Sequence, residues 1–212
     1  MNSSTRATAR TTWVAVRAML LFTLVLGVGY TLVITGIGQL AFGAQANGSQ
    51  LHDDDGTSIG SSLIGQSFTD AEGNPLPEFF QSRPSAAGDG YDSGASSGSN
   101  LGPENPELVA AIDERRREVA ELNGVSLAEV PADAVTASAS GLDPHISPEY
   151  AALQVARVAE ARGLAEADVR TLVAAHTTSP FLGFLGEASV NVLELNQALV
   201  ELQAPTMDTK ER

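Results

Sequence analysis

Residues 18–43 have the sequence AMLLFTLVLGVGYTLVITGIGQLAFG and contain no charged side chain. As an α-helix, these 26 residues extend about 39 Å, more than the ~30 Å hydrocarbon core of a bilayer. Only a helix satisfies its own backbone groups there. A cleaved signal peptide is the alternative, since Ala44-Gln45-Ala46 resembles a cleavage site, but apolar regions of signal peptides usually span about 7–15 residues. We therefore predict one membrane-spanning helix over residues 18–43.

The arginines before this segment predict its orientation. Arg6, Arg10 and Arg17 precede the span, and the first 43 residues contain no acid. Basic residues that flank a span stay in the cytoplasm. We therefore expect residues 1–17 to be cytoplasmic and residues 44–202 to form an extracytoplasmic domain, followed by a polar tail over residues 203–212. The chain is expected to cross the membrane once.

One face of the predicted span repeats small or polar residues at every fourth position. Residues four apart lie on the same side of a helix, and small side chains let a second helix approach closely. We predict that this face packs against other membrane helices, through Thr23, Gly27, Thr31, Thr35 and Gln39.

The region after the span is strongly acidic. The whole chain has a formal net charge of -14 and the first 43 residues carry +3, so the remainder carries -17. Such a surface repels phosphate backbones, and nucleic acid is not expected as a partner. Solubility alone explains the excess of acid; alternatively, the acidic surface lies near cations or near a basic partner.

Several common functional sites are excluded by their missing residues. Lys210 is the only lysine and is followed by Glu211, so neither a P-loop nor the lysine-containing phosphorylation signature of P-type pumps occurs. The twelfth position of a calcium loop that begins at Asp53 is Ile64 instead of glutamate, so the acidic run 53–55 is a solvated turn. The chain contains no cysteine for a disulfide or thiolate metal site. No metal and no cofactor of its own are predicted.

The outer region has the pattern of an α+β domain. Aspartates followed by Gly56 predict a hairpin between residues 49–52 and 58–65, and the Gly/Ser-rich residues 85–102 predict a segment without regular structure. Capping and apolar periodicity predict helices over 106–122, 148–162 and 165–176. A short strand is expected at 135–138, and alternating apolar and polar residues predict a strand at 190–196. The expected class is α+β, with a small sheet and about three helices.

Ser96 lies in a G-x-S-x-G pattern, Gly94-Ala95-Ser96-Ser97-Gly98. A serine hydrolase would use this serine as its nucleophile, but the chemistry needs a strand before it and a helix after it. Both flanks are Gly/Ser-rich, so a chance match is the favoured interpretation, and a membrane-anchored hydrolase is kept as the alternative function.

Gln154 falls on the apolar side of the second predicted helix, between Val158 and Ala161. A buried amide must find hydrogen-bond partners, and this is usually a structural matter. A structural role is therefore favoured from the sequence pattern.

Several long segments, in order, resemble the C subunit of the Kdp potassium-transporting P-type ATPase. Together they cover nearly the whole chain from the span to about Leu202. They are SLIGQSF (62–68), FQSRPSA (80–86), YD (91–92), ASSGSNLGP (95–103), VTAS (135–138), SGLDPHISP (140–148), QVARVA (154–159), HT (176–177), LGFLGE (182–187) and VNVLELN (190–196).

The resemblance implies a non-catalytic subunit of a high-affinity potassium-uptake complex in the bacterial inner membrane. Its partners would be a channel-like A subunit, an ATP-hydrolysing B subunit and a small F peptide. It also implies an assembly role and a proposed catalytic-chaperone role, in which Gln154 contacts nucleotide and raises the B subunit's affinity for ATP. ATP would then be bound only jointly with that subunit. The arginine rule conflicts with this role, because it puts Gln154 on the side of the membrane without ATP.

Overall fold

The computed structural model describes residues 3–53 and 55–203, and side chains from residue 7 onward within those ranges. The chain divides into two compact units at the boundary between Gln50 and Leu51. The first unit holds the apolar helix, and the second holds the mixed helix and sheet domain. The α+β class and the single N-terminal span-length helix are confirmed.

The first unit is a long helix whose middle has wider turns. It comprises α1 (Ser3–Phe22), a π-helical segment (Thr23–Tyr30) and α2 (Thr31–Ala41). Residues Ala7–Ala41 are long and apolar enough to cross a membrane. The helix thus begins well before residue 18, where the sequence analysis placed the start of the span, and it stops at Phe42, whose φ of -136° and ψ of 47° leave the helical region.

A short turn of helix follows and is tied back to the long one. This turn, α3, spans Gly43–Ala46. The side-chain amide of Asn47 donates to the Gln39 side-chain oxygen at 3.1 Å and to the Gly43 carbonyl at 2.7 Å.

The predicted acidic hairpin is present. β1 (Gln50–His52) pairs with β2 (Ser58–Ser61) in a two-stranded sheet. Asp53 closes the turn: its backbone oxygen accepts from Gly56 at 3.0 Å and its carboxylate accepts from Thr57 at 2.7 Å. Gly56 has φ of +79°, which glycine adopts without steric cost. Asp54, the middle of the predicted acidic run, lies outside the described residues.

Local capping signals set the bounds of the domain's first two helices. The side-chain oxygens of Asn105 and Ser147 each accept a backbone N–H of the first turn, at 2.8 and 3.0 Å. Gly124 and Gly163 end these helices in the left-handed conformation. All three predicted helices are confirmed, as α4 (Pro106–Asn123), α5 (Pro148–Arg162) and α6 (Glu166–Ala175).

A three-stranded antiparallel sheet lies beside these helices. Its order is β3 (His145–Ile146), β5 (Ser189–Asn191) and β4 (Thr177–Thr178), with Val190 opposite both Ile146 and Thr177. The hydrophobic core is built largely from small β-branched side chains and alanine, and its fully enclosed members include Val135, Ala151, Val155, Val158, Val169, Val190, Val192, Leu195 and Leu199.

One predicted strand is wrong, and a second is correct only at its start. Residues 135–138 follow a 3-10 turn (Ala132–Ala134), and the Thr136 hydroxyl bonds back to the Ala132 carbonyl instead of entering a sheet. In the segment 190–196 only the start is a strand, because a helix, α7 (Val192–Gln203), begins within it. The Asn191 carboxamide oxygen accepts from the backbone of Leu193 and Glu194, which caps that helix.

The Gly/Ser-rich segment 85–102 contains no helix or strand, as predicted. Hydrogen bonds attach it to the rest of the domain. Ser97 donates its backbone N–H to Ser140 at 3.0 Å, and the Ser85 hydroxyl donates to the Gly141 carbonyl at 2.6 Å. A Cβ on Gly141 would lie 2.7 Å from both the Ala87 nitrogen and the Ser97 oxygen. Close backbone approach therefore holds the segment against residues 138–141.

Gly141 and Gly163 give a matched test of this contact, since their φ values are +68° and +65°. A Cβ on Gly163 would meet no heavy atom of the described residues within 4 Å. We expect Gly163→Ala to cost about 1–2 kcal/mol of unfolding free energy from left-handed strain alone. Gly141→Ala should cost roughly 2 kcal/mol more, because the backbone must move. Urea unfolding followed by circular dichroism measures both. Equal losses would contradict the close packing of residues 85–102.

Candidate functional site

An extended segment, residues 80–83, follows a turn at residues 77–79 and belongs to neither sheet. Phe80, at its start, is completely buried. The Asn196 side chain on α7 bonds to both backbone groups of Phe80: its oxygen accepts from the Phe80 N–H, and its amide donates to the Phe80 carbonyl, each at 2.9 Å. A single carboxamide therefore replaces the neighbouring strand that this residue lacks.

Gln154 on α5 does the same for the next residue. It is fully buried, and its oxygen accepts from the Gln81 N–H at 2.7 Å while its amide donates to the Gln81 carbonyl at 3.1 Å. The Gln81 side chain in turn donates to the carbonyls of Phe68 and Leu76, each at 3.0 Å. Residues from four separate parts of the chain thus meet at one polar cluster inside the core.

Arg157 completes this cluster from the same face of α5. Its guanidinium donates to the Gln154 oxygen at 2.7 Å, to Asn123 at 2.9 Å and to the carbonyls of Pro77 and Phe79. Burial lowers the pKa of Arg157 to about 10, so the group remains charged at neutral pH. A buried cation is tolerated here because oxygen atoms surround it in place of water.

A second, more exposed polar cluster lies where the extended segment ends. Arg83 pairs with Asp143 at 3.1 Å and donates to the Thr136 carbonyl. The other oxygen of Asp143 lies 3.1 Å from His145 Nδ1. The side-chain hydrogen bond with His145, reinforced by smaller contributions that include the charge of Arg83, lowers the pKa of Asp143 despite its partial burial.

Tyr91 joins this second cluster to the Gly/Ser-rich segment. Its hydroxyl donates to the Arg83 carbonyl at 2.8 Å, and burial raises its pKa to about 12. Its backbone has φ of +56°, which is uncommon for a bulky residue. The tyrosine holds residues 85–92 against the end of the extended segment.

A cleft of about 180 Å³ opens beside Arg83 and is lined by Asp133, Asp143, His145 and Glu187, among others. Asp133 is already bonded to the backbone and hydroxyl of Ser147, at 2.6 and 2.9 Å. Across the described side chains, histidine and carboxylate groups do not form a cluster suited to a metal ion. The cleft is a polar surface feature next to the sheet.

The residues selected from the sequence fall in three separate places. Gln154 is the centre of the buried cluster, as its helical position indicated, and its proposed contact with nucleotide stays a prediction: with its oxygen bonded twice and its side chain enclosed, such a contact requires the domain to open. The residues of the predicted packing face are exposed on the long helix; they are Thr23, Gly27, Thr31, Thr35 and Gln39.

The Ser96 side chain makes its hydrogen bond outside both polar clusters. Its hydroxyl donates to the Ser140 carbonyl at 2.9 Å, which helps to hold the Gly/Ser-rich segment in place. Residues 62–105 contain no helix and no strand beyond isolated bridge residues. This serine is therefore not flanked by the strand and the helix that a nucleophile elbow requires.

Sequence reasoning missed the partners of these residues. The segments that carry the family resemblance contain Asn196, Gln81, Arg157, Asp143 and His145, but the sequence did not indicate their partners. Several of their hydrogen bonds join residues that are 52 to 116 positions apart in the chain. No local sequence pattern pairs residues at such a separation. The available signal was the density of polar residues within otherwise apolar segments, FQSRP above all.

A long apolar helix joined to an α+β domain fits a membrane-anchored, single-pass protein. Comparison with known proteins then identifies the family. The family model of the K⁺-transporting ATPase c chain, KdpC, matches residues 12–201.

Three relatives carry the same name, "Potassium-transporting ATPase KdpC subunit". One from Caulobacter vibrioides is 50% identical over 198 residues, covering 93% of this chain and 96% of its own. One from Kineococcus radiotolerans is 54% identical over 181 residues, or 85% and 88% of the two chains. One from Mycobacterium tuberculosis is 51% identical over 189 residues, or 89% and 96%. The chain belongs to the KdpC family and is a subunit of a potassium-transporting ATPase.

The buried amides make a direct prediction about stability. Gln154→Ala removes the acceptor of the Gln81 N–H and one acceptor of Arg157, and we expect it to cost about 3 kcal/mol of unfolding free energy. Asn196→Ala, which frees both groups of Phe80, should cost a similar amount. Chemical denaturation measures these losses. Glu160→Ala, at an exposed site on the same helix as Gln154, is the control and should change stability by less than about 0.5 kcal/mol. A fully stable Gln154→Ala protein would refute the structural role.

Tyr91 makes a prediction about alkaline pH. Its folded pKa, about 12, lies above the ordinary value of 10, so the unfolded chain loses this proton first. Stability from Tyr91 is therefore complete below pH 10 and is lost as the pH rises toward 12. Tyr91→Phe should be less stable than wild type at pH 8, by about 1 kcal/mol for the lost hydrogen bond. The difference should shrink above pH 10 and reverse near pH 11. A difference that is constant from pH 8 to 12 would contradict the burial of this phenol.

Proposed function

We propose that this chain is the accessory subunit of an ATP-driven potassium-uptake complex and that its domain lies outside the cytoplasm. Its role there is assembly: the span packs against membrane helices of the complex, and the domain binds the extracytoplasmic side of its partners. The partners are a channel-like A subunit, an ATP-hydrolysing B subunit and a small F peptide. Family membership supports the complex, and the three arginines before an acid-free span support the orientation.

The polar groups of the domain support a structural rather than catalytic part. The amides of Gln154 and Asn196 and the guanidinium of Arg157 are all committed to backbone carbonyls, N–H groups or one another. Groups bonded in this way rigidify a core and are not available to a substrate without rearrangement. Ion movement and ATP hydrolysis are then supplied by the other subunits.

A second candidate role is that of a catalytic chaperone, in which Gln154 contacts ATP held by the B subunit. The resemblance to the family motivates this role, and it requires the domain to share a compartment with ATP. It also requires Gln154 to leave Gln81 and Arg157. Orientation therefore decides between the two roles, because an extracytoplasmic domain cannot reach cytoplasmic nucleotide.

The absence of native cysteine makes orientation directly measurable. Ser96 is exposed, so Ser96→Cys gives a single reactive thiol on the domain. In intact cells we expect labelling by a maleimide that passes the outer membrane but not the inner one. Ser4→Cys, before the span, is the matched control and should react only after the inner membrane is broken. Labelling of Ser96→Cys only after breakage, with Ser4→Cys reactive in intact cells, would reverse the orientation and favour the nucleotide role.

A further inference from the structure

Between β4 and β5 the chain projects a short hairpin, Pro180–Gly186, that carries large apolar side chains. Phe181, Leu182 and Phe184 are 70%, 70% and 73% exposed, and Leu185 is half exposed. Other large apolar side chains exposed on the domain, such as Leu63, Val109 and Leu127, are separated from one another in sequence. Four such side chains within five residues form the densest exposed apolar stretch outside the long helix among the described residues, and such stretches mark interaction sites.

The backbone of this hairpin is ordered. Phe181 and Leu185 exchange two backbone hydrogen bonds of 2.9 Å, and the Phe184 N–H bonds to the Phe181 carbonyl. Two successive residues of the turn, Leu182 and Gly183, have φ of +56° and +80°, in the left-handed region. At its base, Thr178 on β4 pairs with Ser189 on β5, so the three-stranded sheet supports the hairpin.

Leu182 is the unusual residue of this turn. Its position favours asparagine or glycine, because other side chains in the left-handed region are strained. Burial does not compensate for the strain, since most of the leucine faces solvent. Strained residues of this kind concentrate at functional sites. We therefore take the apolar side chain itself, displayed at the tip, as the reason for leucine here.

Charge selects among the surfaces that an apolar hairpin can enter. Residues 177–186 carry no charge and Glu187 follows, while the region after the span carries -17 overall. A domain this acidic is repelled by anionic lipid headgroups and by a second copy of itself. Neither repulsion opposes binding to a different protein that has an apolar recess and a neutral or basic rim facing Glu187.

We propose that the Pro180–Gly186 hairpin is a docking plug that inserts into an apolar recess on another subunit of the same ATPase complex. The proposal rests on the proposed function, because it takes its partner from that complex. The ordered turn reduces the entropy lost on binding, and the exposed side chains supply the buried apolar area. Phe184 and Leu182, the most exposed pair, are the central contacts.

The direct test is co-purification of the complete complex through a tag on this chain. The double variant Leu182→Asp/Phe184→Asp places charge in the recess, and we expect recovery of the other subunits to fall at least tenfold. Leu127→Asp, at an exposed leucine elsewhere on the domain, is the control and should recover them normally. Wild-type recovery by the double variant would overturn the docking proposal.

A second variant separates docking from folding. Leu182→Asn keeps the turn and relieves its strain, so the melting temperature of the chain should be unchanged or higher, while recovery of the complex should still fall. A change that only damaged the fold would lower the melting temperature instead. Recovery at the wild-type level for Leu182→Asn and for the double variant together would leave the hairpin without a docking role.

Crosslinking identifies the occupant. Phe181→Cys, labelled with a photoreactive maleimide in membranes of cells that express the whole complex, should yield an adduct with a larger subunit. A product of two copies of this 22.0 kDa chain, or labelling of lipid alone, would overturn the proposal in favour of self-association or the bilayer. If the wild-type chain itself recovered no other subunit, the proposed function would fail, which distinguishes that failure from the failure of docking alone.

Discussion

The domain depends on how the backbone of Phe80 and Gln81 is satisfied. An extended segment through a core must pair its N–H and C=O groups, and the usual solution is a neighbouring strand. Here the Asn196 side chain on α7 hydrogen-bonds to the backbone N–H and C=O of Phe80, and the Gln154 side chain on α5 does the same for Gln81. Two side-chain amides thus fix the segment to two helices at once. Neither helix can slide along the segment without breaking a matched pair of bonds, so the arrangement specifies register as well as contributing stability.

The same constraint accounts for the charged group inside the core. Arg157 lies one turn after Gln154 and donates to its side-chain oxygen, which orients the amide toward Gln81. The same guanidinium donates to the carbonyls of Pro77 and Phe79. At the other end, Arg83 leaves the core and meets Asp143, and Tyr91 caps the Arg83 carbonyl. The Gly/Ser-rich segment is ordered because it follows directly from this anchored stretch and meets glycine positions that permit close approach. Order in a segment without secondary structure is therefore a consequence of polar contacts that begin at Phe80.

The parts of this fold that local signals encode were predictable. Asn105 and Ser147 cap two helices, Gly124 and Gly163 end them, and both helices were found with nearly correct bounds. The burial of Gln154 also followed from its helical position. Two things were not local. The residues VNVLELN fit a strand by alternation, and together with Leu199 they fit a helix by the spacing of Val192 and Leu195. The pairing of β5 with β3 and β4, which are distant in the sequence, decides where the strand ends and the helix begins. The pairing of Gln154 with Gln81, 73 residues away, had no signal in the sequence.

The long helix shows how backbone geometry modifies a pattern that sequence alone provides. In a regular α-helix, with 3.6 residues per turn, residues four apart advance slightly more than one turn, so a stripe of every fourth residue winds around the helix. Thr23 to Tyr30 form a π-helical segment with wider turns, in which four residues advance less than one turn and the stripe winds the other way. The drift from Thr23 to Thr31 therefore opposes the drift from Thr31 to Gln39. The predicted packing face lies closer to a single line than it would on an uninterrupted α-helix, which suits contact with a straight neighbouring helix.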